Sequence, residues 1–168
     1  MVFRKDFIFL SSKQGNERNN MARKITLIAR LLLEHNGKIL FLAQTTQNGG
    51  KYSLVGGKIE SEEMATEALA RESLEECGLV VRTEDLKLVH VLYRNKTNET
   101  MIVLYFKPTA WTGELAVREP KKFKRVNWFP SNDLPKNISP VTKKVLLRYH
   151  KGAMFTEHSS SKKVDTVF

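Results

Sequence analysis

The 168-residue chain has a single cysteine, Cys77. One thiol cannot close an internal disulfide, build a zinc ribbon or form a Cys-x-x-Cys redox pair. Long apolar runs are also missing, and none approaches the ~20 residues that span a bilayer. The basic start of the chain, with Phe7-Ile8-Phe9-Leu10, is too short in its apolar part for a secretory signal and lacks a small-residue cleavage site. A cytoplasmic setting with no membrane partner is therefore expected. The histidines His35, His90, His150 and His158 lack metal-ligand spacing. His90 falls in a strand pattern, where a hydrogen-bonded core or edge role is expected. No internal repeat is present.

Acidic residues are scarce beside basic ones, 18 against 28, for a net charge of +10. The excess is not spread evenly. Residues 1–24 hold six Lys/Arg and two acids, and residues 141–168 hold the same numbers, whereas the middle holds 16 and 14. The body is thus close to neutral, and no basic block reaches five like charges in a row. Charged, solvated ends are the favoured reading, and nucleic acid the less favoured partner.

The remaining composition, 41% apolar and 27% charged, is that of an ordinary globular domain. Residues 11–20, SSKQGNERNN, contain no apolar side chain and read as a linker. The expected organisation is a flexible extension over 1–21, one domain over 22–152 and a flexible tail over 153–168. Monomer and homodimer both stay open.

Within the domain, residues 25–33 read as a strand, and Asn36-Gly37 marks a tight turn, so 25–43 is expected to form a hairpin. A polar loop covers 45–51. Residues 62–77 form the strongest helix pattern, with Ser61 as cap and Gly78 as stop. A second hairpin is expected over 86–93 and 101–106, a strand over 123–129, and a helix over 141–149 with Pro140 in its first turn. Strands mixed with two helices, without regular alternation, predict an α+β domain.

The informative stretch is GGKIESEEMATEALARESLEECGL, residues 56–79. On a helix, Glu72, Glu75 and Glu76 fall on one face and continue the stripe of Ala65, Ala68 and Leu69. Ala70, Leu74 and Cys77 lie on the other side, which predicts packing from both sides. Crowded carboxylates resist ionisation and call for positive charge. Arg71 reaches one or two of them. A divalent cation with hard oxygen ligands, Mg²⁺ or Mn²⁺, would offset the rest. A solvated acidic face with pairs such as Glu67–Arg71 and Arg71–Glu75 is the alternative at this point. Gly56-Gly57 permits close approach of backbone to a ligand.

The 23 residues from Gly57 to Leu79 resemble the Nudix box, G-x5-E-x7-R-E-U-x-E-E-x-G-U, with U a bulky aliphatic residue. Gly57, Glu63, Arg71, Glu72, Glu75, Glu76, Gly78 and Leu79 stand in register. Ser73 departs from an aliphatic position, and Val55 stands where many members have Pro. The resemblance implies an α/β/α sandwich around a mixed sheet. It implies that Glu72, Glu75 and Glu76 bind Mg²⁺ or Mn²⁺ near the Gly56 carbonyl, and that Glu63 and Arg71 form a bracing ion pair.

A second segment, WTGELAVREP at 111–120, resembles the stretch after the central strand of MutT-type members. By that match Glu119 is a candidate metal ligand or general base. A surface role before Pro120 is the alternative. Asp133-Leu134-Pro135 followed by Asn137 resembles the stretch where MutT-type enzymes set Asn against a purine edge, with a one-residue gap. Trp128 and Phe129 are candidates to stack on a base, with at least one expected in the core. Lys58 and the basic residues from Lys121 to Arg125 are candidates to hold phosphates.

The activity implied by the resemblance is hydrolysis of a nucleoside diphosphate linked to another group. A nucleoside triphosphate is the leading substrate, with an oxidised purine dNTP as one form of it, giving a monophosphate and pyrophosphate. Hydrolysis of ADP-ribose or a dinucleoside polyphosphate, RNA-end processing and nucleotide sensing without catalysis are the other readings.

Overall fold

The computed structural model describes residues 23–159. The expected extension over 1–21 and the last residues of the expected tail lie outside the described residues. Among the described residues the strands are β1 (Lys24–Leu31), β2 (Glu34–His35), β3 (Lys38–Gln44), β4 (Tyr52–Ser53), β5 (Leu86–Asn95), β6 (Glu99–Pro108), β7 (Phe123–Pro130) and β8 (Phe155–Ser159). The helices are α1 (Ala65–Cys77) and α2 (Pro140–His150). No described helix is long and apolar enough to cross a membrane.

One sheet has the order β1-β6-β5-β8. It is mixed: β1 runs parallel to β6, β5 antiparallel to β6, and β8 parallel to β5. The second sheet has β2, β3 and β4 in order, and β7 pairs antiparallel with β3. Alternation along the strands feeds two cores. Ala29, Leu31, Leu40 and Leu42 pack with Leu69 and Cys77 of α1. Ile28, Ile39 and Phe41 pack with Val145 and Leu146 of α2. Side chains of opposite parity face opposite ways, so the helices cover opposite faces of the strands. The result is the expected α+β sandwich.

The second hairpin forms as expected, with Leu86 opposite Pro108 and Asn95 opposite Thr100. The first is shorter than predicted. Asn36 and Gly37 both have positive φ, but their turn joins only β2 and β3, while β1 pairs with β6. The chain changes sheets at Leu32–Leu33. The Leu32 N–H donates to the Phe106 carbonyl, and the Leu33 carbonyl accepts from the Leu40 N–H. Both residues are buried, each 1% exposed, so an apolar run that reads as one strand is a strand plus a buried crossover.

Helix α1 starts three residues later than predicted. Glu62 adopts φ 70°, and the Glu60 N–H donates to the Glu63 carboxylate at 2.7 Å, so these residues form a turn. Ser61 lies in that turn and caps nothing. Met64 is the N-cap, and Glu67 reaches back to accept from its N–H at 2.8 Å. Of the expected second side, Ala70 and Cys77 pack on the core while Leu74 is exposed, so that side of α1 is only partly covered. Helix α2 follows the prediction, with the Ser139 hydroxyl accepting from the Thr142 N–H at 3.0 Å and Pro140 in the first turn.

The sheet also continues past residue 152, into the expected tail. The mostly polar run Phe155–Ser159 forms β8 because its backbone pairs with β5 and His90 supplies a buried partner. His90 Nδ1 lies 2.8 Å from the Ala153 carbonyl, and Nε2 lies 2.9 Å from the Thr156 hydroxyl. A carbonyl only accepts, so Nδ1 carries the proton and Nε2 accepts from Thr156. Burial depresses the His90 pKa and favours this neutral ring.

Candidate active site

The segment before α1 lies along β1. The Ala29 N–H donates to the Gly57 carbonyl at 3.0 Å, and the Leu31 N–H to the Val55 carbonyl at 2.9 Å. The Gly56 N–H donates to Glu76 Oε2 at 2.8 Å. The Gly56 carbonyl accepts from the guanidinium of Arg30, which also donates to the Leu54 carbonyl at 3.0 Å. A cation at the Gly56 carbonyl would therefore compete with a charge already there.

Arg71 gathers the acidic face. Its guanidinium holds both oxygens of Glu63, at 2.9 and 3.2 Å, and reaches Glu72 at 3.3 Å and Glu75 at 3.2 Å. The brace between Glu63 and Arg71 thus forms across the turn. The Arg71 hydrogen bonds hold the Glu63 carboxyl below its ordinary range. The Glu63 hydrogen bonds in turn raise the Arg71 pKa, despite partial burial.

The three α1 carboxylates differ in surroundings. The Glu75 side chain is half exposed, Glu72 is mostly covered, and Glu76 is buried. Burial pushes the Glu76 carboxyl up to about 7. The Gly56 N–H and Arg30 oppose this shift, while the charges of Glu72 and Glu119 add to it.

Glu119 reaches this group from a distant part of the chain. Its loop folds back on the end of α1, where the Ala116 N–H donates to the Cys77 carbonyl and the Arg118 N–H to the Glu76 carbonyl. Those last-turn carbonyls have no partner within the helix. One oxygen of Glu119 pairs with Lys122 Nζ at 2.7 Å, and the other is buried without a hydrogen-bond partner. The pair raises the Lys122 pKa, and Glu72 and Glu76 contribute to the same shift.

An unpartnered buried carboxylate oxygen beside a buried carboxyl with a raised pKa is a place where a hard divalent cation fits. All the side-chain donors are oxygens, which suits Mg²⁺ or Mn²⁺. Among the described residues, no three His, Cys, Asp or Glu side chains already converge on an ion position. Arg71 holds Glu72 and Glu75, so both would have to turn from it to share a cation with Glu76.

The other expected site residues scatter. Lys58 is exposed on a bridge to Ile28. Trp128 packs against the core beneath α1, its ring 6.1 Å from that of His35. Phe129, one residue on, faces the opposite core and packs edge-on against Tyr52, with ring centroids 4.9 Å apart. The Asn137 side-chain amide donates to the Gly50 carbonyl, and the Asn137 backbone carbonyl accepts from the Tyr52 N–H, so it ties the loop over 45–51 to the segment before α2. Ser73, the box departure, is fully buried and donates to the Leu69 carbonyl at 2.6 Å. Sequence reasoning missed Arg30. Its signal was a charged residue inside the apolar run Leu27–Leu33.

Comparison with family models finds the NUDIX domain over residues 23–149. No curated protein matches. Solved structures share the fold. The MutT NUDIX hydrolase from Burkholderia pseudomallei is 24% identical with a TM-score of 0.66, covering 74% of this chain and 97% of its own. The MutT protein from Methanosarcina mazei Go1 is 17% identical with a TM-score of 0.67, covering 78% and 96%. An ADP-ribose pyrophosphatase from Streptococcus suis is 17% identical with a TM-score of 0.53, covering 80% and 98%. With the family model spanning most of its length and the acidic box assembled on α1, this chain belongs to the NUDIX domain family of hydrolases.

Proposed function

We propose that the protein is a metal-dependent pyrophosphohydrolase that cleaves the diphosphate linkage of a nucleoside triphosphate or a related nucleoside diphosphate derivative. The observation that carries this reading is the convergence of Glu76 and Glu119, one buried with a raised pKa and one with an unpartnered buried oxygen. Glu72, Glu75 and Glu76 would hold Mg²⁺ or Mn²⁺, and the unpartnered oxygen of Glu119 would serve as the base beside them. Bound there, the cation would neutralise the diphosphate and acidify a water.

The protein's own groups divide the remaining work. Arg71 and Glu63 hold the loop and α1 in register. Lys122 sets a positive charge beside Glu119, and as substrate phosphate arrives it can exchange partners. Glu119 accepts the proton of the attacking water as the water oxygen bonds to phosphorus and the anhydride bond breaks. The box is common to enzymes for different nucleotides, so specificity lies in other residues.

The test is product release over a panel of NTPs, dNTPs, an oxidised purine dNTP, ADP-ribose, NADH and Ap4A, with Mg²⁺ and with Mn²⁺. Monophosphate and pyrophosphate from at least one triphosphate are expected. Labelled water locates the attacked phosphorus. Nucleotide binding with no hydrolysis of any substrate would instead identify a sensing module. Glu119→Gln is expected to lower kcat by roughly 10²–10⁴-fold, the range for loss of a general base. A rate loss that shrinks as pH rises is expected, because hydroxide replaces the missing base. A loss under threefold at pH 7 would remove Glu119 from the chemistry.

A further inference from the structure

On the α2 face a cleft of about 230 Å³ opens between the two sheets. Its floor is one row of apolar side chains, since Ile28 and Leu92 both stand opposite Val103 on neighbouring strands. Arg30 stands one row along, opposite Tyr105, and Arg94 one row the other way, opposite Met101. Both arginines line the cleft, with the exposed Lys51 as a third cation, and among the described residues no Asp or Glu lines it. The N-terminus of α2 forms part of the wall and has no acid in its first turn, so its dipole adds to the positive field.

The two guanidiniums differ in what they already hold. Arg30 bonds the carbonyls of Leu54 and Gly56, which places it at the end next to Glu76. Arg94 is at the other end, with Nε buried and without a hydrogen-bond partner. Among the described residues no ion pair neutralises Arg94. Both charges also reach the buried Tyr105 hydroxyl, where they oppose the upward shift that burial causes. Arg94 as a whole is half-buried, with only its Nε fully covered, and its charge has no counter-charge in the cleft, which a neutral base or ribose would not supply. A phosphate monoester does, and it matches the planar donor fork of arginine.

We propose that the cleft takes the nucleoside end of a substrate that carries a phosphate monoester remote from the scissile diphosphate, with Arg94 and Lys51 as its anion site. The inference deepens the hydrolase reading and rests on it for the placement of the diphosphate near Glu76. Substrates of this class are nucleoside diphosphate derivatives phosphorylated on the ribose. Arg30 faces the diphosphate end, and Arg94 the added phosphate.

Equilibrium binding tests this without turnover. The probes are AMP, adenosine 3′,5′-bisphosphate and adenosine 2′,5′-bisphosphate, with the guanosine series alongside. At least one bisphosphate is expected to bind about tenfold more tightly than its monophosphate, the scale of one charge-assisted contact. Arg94→Gln should bring that ratio close to one. Lys51→Gln, at an exposed position where the fold is safe, should reduce it partly. A ratio under two for every bisphosphate, or a ratio unchanged in both variants, would overturn the proposal. A bisphosphate preference in a protein that hydrolyses nothing in the panel would uphold the cleft assignment and reject the hydrolase reading, so the two failures are distinguishable.

Discussion

Glu76→Gln is expected to lower kcat at least about a thousandfold with Mg²⁺ and yet to stabilise the metal-free protein above neutral pH. The catalytic loss follows from the proposed role of Glu76, whose buried anionic oxygen would hold the cation. The gain in stability follows from linkage. The Glu76 carboxyl titrates near 4.5 in the unfolded chain and at about 7 in the folded one. Between those values the folded state holds a proton that the unfolded state has released. Stability of the metal-free protein therefore falls as pH rises through that window. At ~1.4 kcal/mol per pKa unit the whole effect is on the order of 3 kcal/mol. Glutamine does not ionise, and its side-chain oxygen can still accept from the Gly56 N–H. The variant should therefore match wild type near pH 4.5 and exceed it in denaturant midpoint at pH 8. Adding Mg²⁺ should stabilise wild type and leave the variant nearly unchanged. A variant with half the wild-type rate would place Glu76 outside the reaction. A stability difference that is flat with pH would mean another group carries the buried charge.

The sequence made the acidic helix, the second hairpin, β7 and α2 legible because each depends on local pattern. The Asn36-Gly37 turn was legible too, but the partner of β1 was not. Apolar alternation in 25–33 is the same whether the strand pairs with β3 or β6, and only the buried crossover at Leu32–Leu33 decides it. The strand β8 was hidden for a related reason. Apart from the exposed Phe155 its side chains are polar, and its stability comes from backbone pairing and from His90, far away in the chain. The box residues were readable from spacing, whereas their ranking was not. Spacing puts Glu72, Glu75 and Glu76 on one face as equals. Packing buries Glu76, exposes Glu75 and gives Arg71 to the other two. Trp128 and Phe129 show the same limit, since strand parity decides which ring faces which core and the strand's tertiary partner sets that parity.

Alanine at Gly56 and alanine at Gly57 are expected to fail in opposite ways. Gly56 has φ 117°, outside the range ordinary side chains adopt, and a Cβ there would lie 2.3 Å from the Ala29 carbonyl oxygen and 3.0 Å from Leu69 Cδ1. Ala29 is fixed in β1, paired with Leu104 of β6, and its N–H holds the Gly57 carbonyl. Backbone on that scale cannot yield without disturbing the sheet. Gly56→Ala should therefore cost roughly 3–5 kcal/mol, with a fall in melting temperature on the order of 10 °C. At Gly57 a Cβ would meet a side chain instead, 2.3 Å from Glu72 Oε1 and 2.7 Å from Glu72 Cδ. The end of Glu72 can swing away at little cost to the fold. Gly57→Ala should melt within a few degrees of wild type but lose about a hundredfold in kcat/KM, the scale of a 1 Å misplacement of a reacting group. Thermal unfolding and steady-state kinetics on the two variants separate the effects. A Gly57→Ala protein with full activity would show that Glu72 need not occupy its position against the loop, and a stable Gly56→Ala protein would show that the loop can leave β1.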